Sequence, residues 1–179
     1  KSEIAMSVTE KSLAQCPLFQ GMSSSERAEF LGLLAEQSFA PGQTIIAEGE
    51  SLQFLWIVTK GQCQVVKNLS DGGQRELGLF GANDVFGEMS FFCGGPHSAT
   101  VRAQTDVEVA RLPRDKYDLL LRVGSIAAYK LAFNTIAVLT DHLRKTVDWV
   151  GKLMQTSGQE PHHEEWQEFR DKLLSGWKF

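Results

Sequence analysis

At 179 residues, with 42% hydrophobic and 22% charged content, the chain is long enough for one well-formed core and short of two ordinary domains. That composition excludes disordered and fibrous classes, and a net charge of −4 excludes nucleic acid or an anionic membrane as default partner. Cys16, Cys63 and Cys93 are widely spaced and form no C-x-x-C pair, so reduced, buried thiols in a cytoplasmic protein are expected rather than a disulfide framework. No apolar run approaches the roughly 18 residues of a membrane span, and no signal pattern opens the chain. Its start at Lys1 rather than methionine fits a trimmed protein or a piece of a longer one.

From Val8 to Leu34 apolar residues recur at helical spacing, and Ser23-Ser24-Ser25-Glu26 offers an N-cap to a second short helix. N-terminal helices are therefore expected over 1–36. The texture then changes to short β-rich runs: TII (44–46), FLWIV (54–58), QCQVV (62–66), ELGLF (76–80) and VEVARL (107–112). Glycine-bearing turns separate them, and Asp71-Gly72-Gly73 is a strong hairpin signal. Such spacing predicts a mainly β chain with flanking helices, its body an antiparallel β-roll or jelly roll over 37–114.

Helical periodicity returns over 115–156. Asp115 is placed to cap a short helix through Leu121, and a longer helix from Ser125 carries Ile136, Leu139, Leu143, Val147, Val150 and Met154. That seam fits either the chain's own body or a second copy, a homodimer through the Ile136–Met154 face. Gly158-Gln159-Glu160-Pro161 breaks the helix. A tail helix is expected over 160–179, with Trp166, Phe169, Leu173 and Trp177 on one face, available to a protein partner or as a lid.

The segment 85–101 carries the chemistry, and from Phe86 it reads FGEMSFFCGGPHSATV. Gly87 lets backbone approach a ligand, and the run from Glu88 through Met89 to Phe92 predicts one or two helical turns whose first amides face an anion. Glu88 is a poor phosphate ligand and a good acceptor for a sugar hydroxyl. Together they describe a sugar-phosphate site, against the plainer reading of a capped helix between two strands.

In chain order, PLFQGMSSSE, G-x-x-I-x-x-x-G-E, VTKGQCQVV and NDVFGEMSFFCGGPHSATVRAQTDVEVARL resemble the cyclic nucleotide-binding domain over roughly residues 12–150. That family includes kinase regulatory subunits and bacterial catabolite-activator regulators. The resemblance implies that Gly87 and Glu88 meet the cyclic phosphate and the ribose 2′-hydroxyl of cAMP or cGMP. The family pattern P-R-x-A-[TS]-V stands here as Pro96-His97-Ser98-Ala99-Thr100-Val101, with histidine at the arginine position. Histidine lacks the fixed charge and bidentate fork of arginine. Three readings of His97 follow: a pH-sensitive phosphate ligand, a contact to some other ligand, or a relic in a pocket that no longer binds. Ser98, through its amide and hydroxyl, and Ala99, through its amide, complete the candidate phosphate site. Thr140 and His142, on the stretch matching the base-covering helix, are the candidate base contacts.

Adjacent His162 and His163 have no partner pair at metal-ligand spacing, so no metal and no cofactor are assigned. The strands lack the His-x-His cluster of a cupin. No nucleophile–base or paired-carboxylate constellation stands out, so a non-enzymatic role is expected. Too few residues follow the long helix for the helix-turn-helix domain of the bacterial regulators. The leading expectation is a regulatory module that binds a cyclic nucleotide weakly or a different anion; the alternative is a structural dimerisation module with a degenerate pocket.

Overall fold

The computed structural model describes residues 8–69 and 72–156, and the chain divides into two units, Lys1–Val138 and Leu139–Phe179. In the first unit, α1 (Glu10–Leu13), a 3-10 turn at Pro17–Phe19 and α2 (Ser24–Leu31) precede the sheets. The predicted Ser23 cap is present as a reciprocal box. Ser23 Oγ accepts from the Glu26 amide at 3.3 Å, and the Ser23 amide donates to Glu26 Oε2 at 2.7 Å.

The strands are β1 (Ala35–Phe39), β2 (Thr44–Ile46), β3 (Phe54–Lys60), β4 (Cys63–Asn68), β5 (Gln74–Phe80), β6 (Val85–Phe86), β7 (Thr100–Ala103) and β8 (Val107–Pro113). They form two antiparallel four-stranded sheets, ordered β1-β8-β3-β6 and β2-β7-β4-β5. β1 opens two residues ahead of the expected body. The β4–β5 hairpin forms as predicted, its Leu69 amide donating to the Gly73 carbonyl at 2.8 Å; Asp71 lies outside the described residues.

The unbroken apolar run in β3 is explained by burial on both faces. Trp56 and Val58 point between the sheets, with Ile45, Ile46, Cys63, Phe86, Val101, Val107 and Val109. Leu55 and Ile57 point the other way, onto a layer that includes Leu18, Phe19, Phe30, Phe91, Tyr117 and Leu131. The roll is thus held by a core inside it and a second core beneath its helices.

Helix α3 (Glu88–Cys93) follows β6 directly, and α4 (Arg114–Arg122) and α5 (Ile126–Thr156) follow β8. Asp115 is not the α4 cap. Pro113 takes that position and Asp115 falls in the first turn, because the Arg114 amide donates to the Gln53 carbonyl at 3.0 Å and starts the helix against the loop before β3. Ser125 accepts from the Ala128 amide at 3.3 Å, so α5 begins where expected. Cys16 and Cys63 are buried, but Cys93 is exposed, since it ends α3 on the outer side.

On the first-unit part of α5, Ala127, Ala128, Leu131 and Thr135 are buried while Ile126, Tyr129, Phe133 and Ile136 are exposed. The described part of the second unit continues the helix over 139–156, where Leu143 and Val147 are exposed and Leu139 is half-buried. No helix among the described residues is long and apolar enough to cross a membrane. The 158–161 break, His162, His163 and the Trp166–Trp177 face lie outside the described residues.

Candidate functional site

Gly87 joins β6 to α3 with φ +81°, the left-handed region that favours glycine. Its amide neighbourhood is tight on the protein side. A Cβ at this position would sit 2.8 Å from the Phe54 carbonyl oxygen and 2.9 Å from Trp56 Cδ1. The glycine expected to admit a ligand is required first by the packing of β6 on β3, where Trp56 faces Phe86 in register. The Phe91 amide then donates to the Gly87 carbonyl at 3.0 Å and closes the first turn of α3.

The predicted helical turns exist, and they bring Glu88 and Met89 to one cavity with His97, Ser98 and Ala99. This cavity has a volume of about 110 Å³ and an apolar floor of Ile46, Val65, Phe80, Phe86 and Val101. Glu88 is buried, at 8% exposure, whereas Met89 stands 59% exposed at the rim. Among the described lining residues there is no lysine or arginine, and Glu88 is the one acid.

The strand-like segment that carries His97 is pinned from both sides. The His97 amide donates to the Glu50 carbonyl at 2.8 Å, and the His97 carbonyl accepts from the Gly49 amide at 2.9 Å. Thr100 Oγ1 accepts from the Glu48 amide at 3.0 Å. Lys67 Nζ bridges Glu48 Oε1 at 2.5 Å and the Ser98 carbonyl at 2.6 Å, so its charge serves the loop and not the cavity.

The His97 side chain is only 5% exposed. Its Nδ1 lies 3.1 Å from Ser90 Oγ, and its Nε2 is shielded from solvent with no hydrogen-bond partner among the described residues. Burial pushes the ring's pKa below its ordinary value; Glu50, the Leu52 carbonyl and Glu88 pull it up by less. At neutral pH the ring is therefore uncharged. Of the three readings of His97, the geometry describes a buried ring with Nδ1 against Ser90. Ser90 itself was missed by the sequence reading; its signal was a small hydroxyl two residues after Glu88, on the turn that faces His97.

Thr140 and His142, the candidate base contacts, lie in the second unit, each half-buried.

A neutral buried histidine carries a pH dependence. As pH falls below about 6.5 the unfolded chain takes up the proton before the folded one does, so stability that is present above that pH is lost as it falls. The melting temperature is expected to drop between pH 7.5 and 5.5 by more in the natural protein than in His97→Gln. Equal slopes would contradict the buried neutral ring. The carboxyls of Glu10, Glu26, Glu48 and Asp141, held low by Arg27, Lys130, Lys67 and Lys145, act in a lower window, below about pH 4.5, and leave this comparison clear.

The sequence profile of the cyclic nucleotide-binding domain matches residues 36–123. The CRP-like cAMP-activated global transcriptional regulator of Mycobacterium tuberculosis is 30% identical over 144 residues, covering 80% of this chain and 62% of the regulator. The N-terminal domain of a transcriptional regulator from Streptomyces coelicolor A3(2) superposes with a TM-score of 0.64 at 30% identity, covering 76% of this chain and 95% of that one. The regulatory subunit of a cAMP-independent protein kinase A from Trypanosoma cruzi, bound to guanosine, superposes with a TM-score of 0.58 at 26% identity, over 74% of this chain and 48% of that one.

Two four-stranded antiparallel sheets, with the segment 87–99 joining β6 to β7, define a β-roll. This chain belongs to the cyclic nucleotide-binding domain family, whose members here are transcription regulators and kinase regulatory subunits. It spans about three fifths of the length of the mycobacterial regulator.

Proposed function

We propose that this chain is a non-enzymatic, cytoplasmic regulatory module whose 86–101 pocket holds a small sugar-bearing ligand and takes cAMP or cGMP weakly. The observation that carries this is the buried Glu88 carboxylate at the cavity, retained beside a neutral His97. A built acceptor for hydroxyls is kept, while the grip for a phosphate is reduced to backbone amides of α3, Ser98 and Ala99.

A route for readout is built into the first unit. Arg114 donates to the carbonyls of Phe91 at 2.6 Å and Phe92 at 3.2 Å, tying the end of α3 to α4. Phe91 and Phe92 pack on Tyr117, whose hydroxyl donates to the Ala128 carbonyl in α5 at 3.1 Å. A ligand that favours one seating of α3 thereby favours one seating of the start of α5.

The test is calorimetric titration with cAMP and cGMP at pH 6 and pH 8. Weak binding is expected, with little change between the two pH values because burial holds the His97 pKa below its ordinary value, and reduced at least tenfold in Glu88→Gln through loss of a charge-assisted hydrogen bond. Cyclic nucleotide binding that Glu88→Gln leaves unchanged would contradict the reading.

A second reading has its own observation: Ile126, Tyr129, Phe133 and Ile136 form an exposed apolar stripe at 3-4-3 spacing, the periodicity of a helix pairing with its own copy. On this reading the chain is a dimerisation module with an empty pocket. The stripe begins ten residues ahead of the expected Ile136–Met154 seam. Loss of a dimer in Phe133→Asp, together with no ligand response, would favour it.

A further inference from the structure

Lys67 reaches from β4 to the loop that carries Ser98, outside the residues that line the cavity. Its Nζ donates to the Ser98 carbonyl at 2.6 Å and to Glu48 Oε1 at 2.5 Å, and Glu48 Oε2 accepts from the Asn68 amide at 2.9 Å. Glu48 is anchored in turn, its own amide donating to Oγ1 of the buried Thr100 at 3.0 Å. Ser98 is therefore tied down between two fixed neighbours, His97 bonded to Gly49 and Glu50 on one side and Thr100 bonded to Glu48 on the other. The Lys67 side chain is 41% exposed, so as a salt bridge the pair adds little to stability. What it fixes is the direction of one carbonyl.

The Ser98–Ala99 peptide is trans, so its carbonyl and its N–H point in opposite directions. With the carbonyl turned onto Lys67, the Ala99 N–H is turned away from it, and Ala99 lines the cavity while Lys67 does not. Resting on the proposed function above, we propose that Lys67, held by Glu48, is a positioning residue for the ligand: it sets the Ser98–Ala99 peptide so that the Ala99 amide donates into the cavity. No lysine or arginine stands among the described lining residues, so backbone amides carry the grip on an anion, and Lys67 aims this one. An ammonium bonded to the carbonyl also polarises the peptide and strengthens its N–H as a donor. The Lys67 ammonium beside Glu48 holds that carboxyl below its ordinary range, so the pair is intact at neutral pH.

The experiment is amide NMR of the full 179-residue chain, free and titrated with cAMP at pH 7, for the natural protein, Lys67→Met, Lys67→Arg and the double variant Glu48→Gln with Lys67→Met. The double variant removes one charge of each sign, so the net charge stays at −4 and the long-range pull on cAMP is unchanged. Because the pair adds little to stability, all three variants are expected to melt with the natural protein. In Lys67→Met and in the double variant the free Ala99 amide signal is expected to move and cAMP to bind about tenfold more weakly, the loss of part of one charge-assisted hydrogen bond. Lys67→Arg, which can bond the same carbonyl and carboxylate, is expected to bring the affinity back. A double variant that binds cAMP as tightly as the natural protein shows that Lys67 acts by charge alone or not at all; it overturns this inference and leaves the regulatory reading standing. An Ala99 amide unmoved in free Lys67→Met overturns it equally. A natural chain in which cAMP shifts no cavity amide overturns the proposed function and this inference with it.

Discussion

Gly87→Ala is expected to lower the melting temperature by about 10 °C. Two costs combine at this position. Alanine at φ +81° costs about 1–2 kcal/mol, and its Cβ meets the Phe54 carbonyl and Trp56 at under 3.0 Å, which forces a shift worth about 1–3 kcal/mol more. About 3 kcal/mol corresponds to that drop in a chain of this size. Gly42→Ala is the control. Its φ is +85° but nothing lies within 4 Å of its Cβ, so only the backbone cost applies and the drop is expected to be less than half as large. Thermal unfolding followed by circular dichroism measures both; equal drops would show that β3 does not restrict the start of α3.

His97→Arg is expected to raise affinity for cAMP or cGMP by about ten- to a hundredfold at pH 8, the yield of one charge-assisted hydrogen bond to phosphate. The gain is expected to persist at pH 6, since burial holds the natural histidine's pKa below its ordinary value. The longer side chain can place its guanidinium in the cavity, leaving the niche beside Ser90. Titration of both proteins at both pH values tests this. A variant that melts like the natural protein and gains no cyclic nucleotide affinity would show that something besides the missing cation keeps the ligand out.

Much of this architecture is legible in the sequence because local signals agree with it. Ser23 and Glu26 stand three apart and form the reciprocal cap; the short β-rich runs and their glycine turns give seven-residue strands at β3, β5 and β8 close to where they are expected. What the sequence hides is tertiary. Asp115 has the chemistry of a cap, yet the Arg114 amide bonds to Gln53, 61 positions earlier in the chain, and moves the helix start. Cys93 has the apolar character of a buried thiol, but its side depends on how α3 is turned.

At the site, the segment 85–101 is identified by its order of residue types, and Gly87, Glu88, Met89, His97, Ser98 and Ala99 meet at one cavity. Two of their roles differ from what residue type alone indicates. Gly87 answers first to Phe54 and Trp56, and the charge of His97 is set by burial against Ser90, a contact across seven residues that no spacing rule specifies. Lys67 looks like a surface lysine until β4 brings it against Glu48 and the Ser98 carbonyl.

The most direct test of a sugar-bearing ligand in this pocket is amide NMR of the labelled chain during titration with cAMP. The expected result is saturable shifts centred on the amides of Gly87, Glu88, Met89, Ser90, Ser98 and Ala99, absent in Glu88→Gln. High concentrations of cAMP that leave those amides unmoved, or move only residues remote from the cavity, would contradict the account.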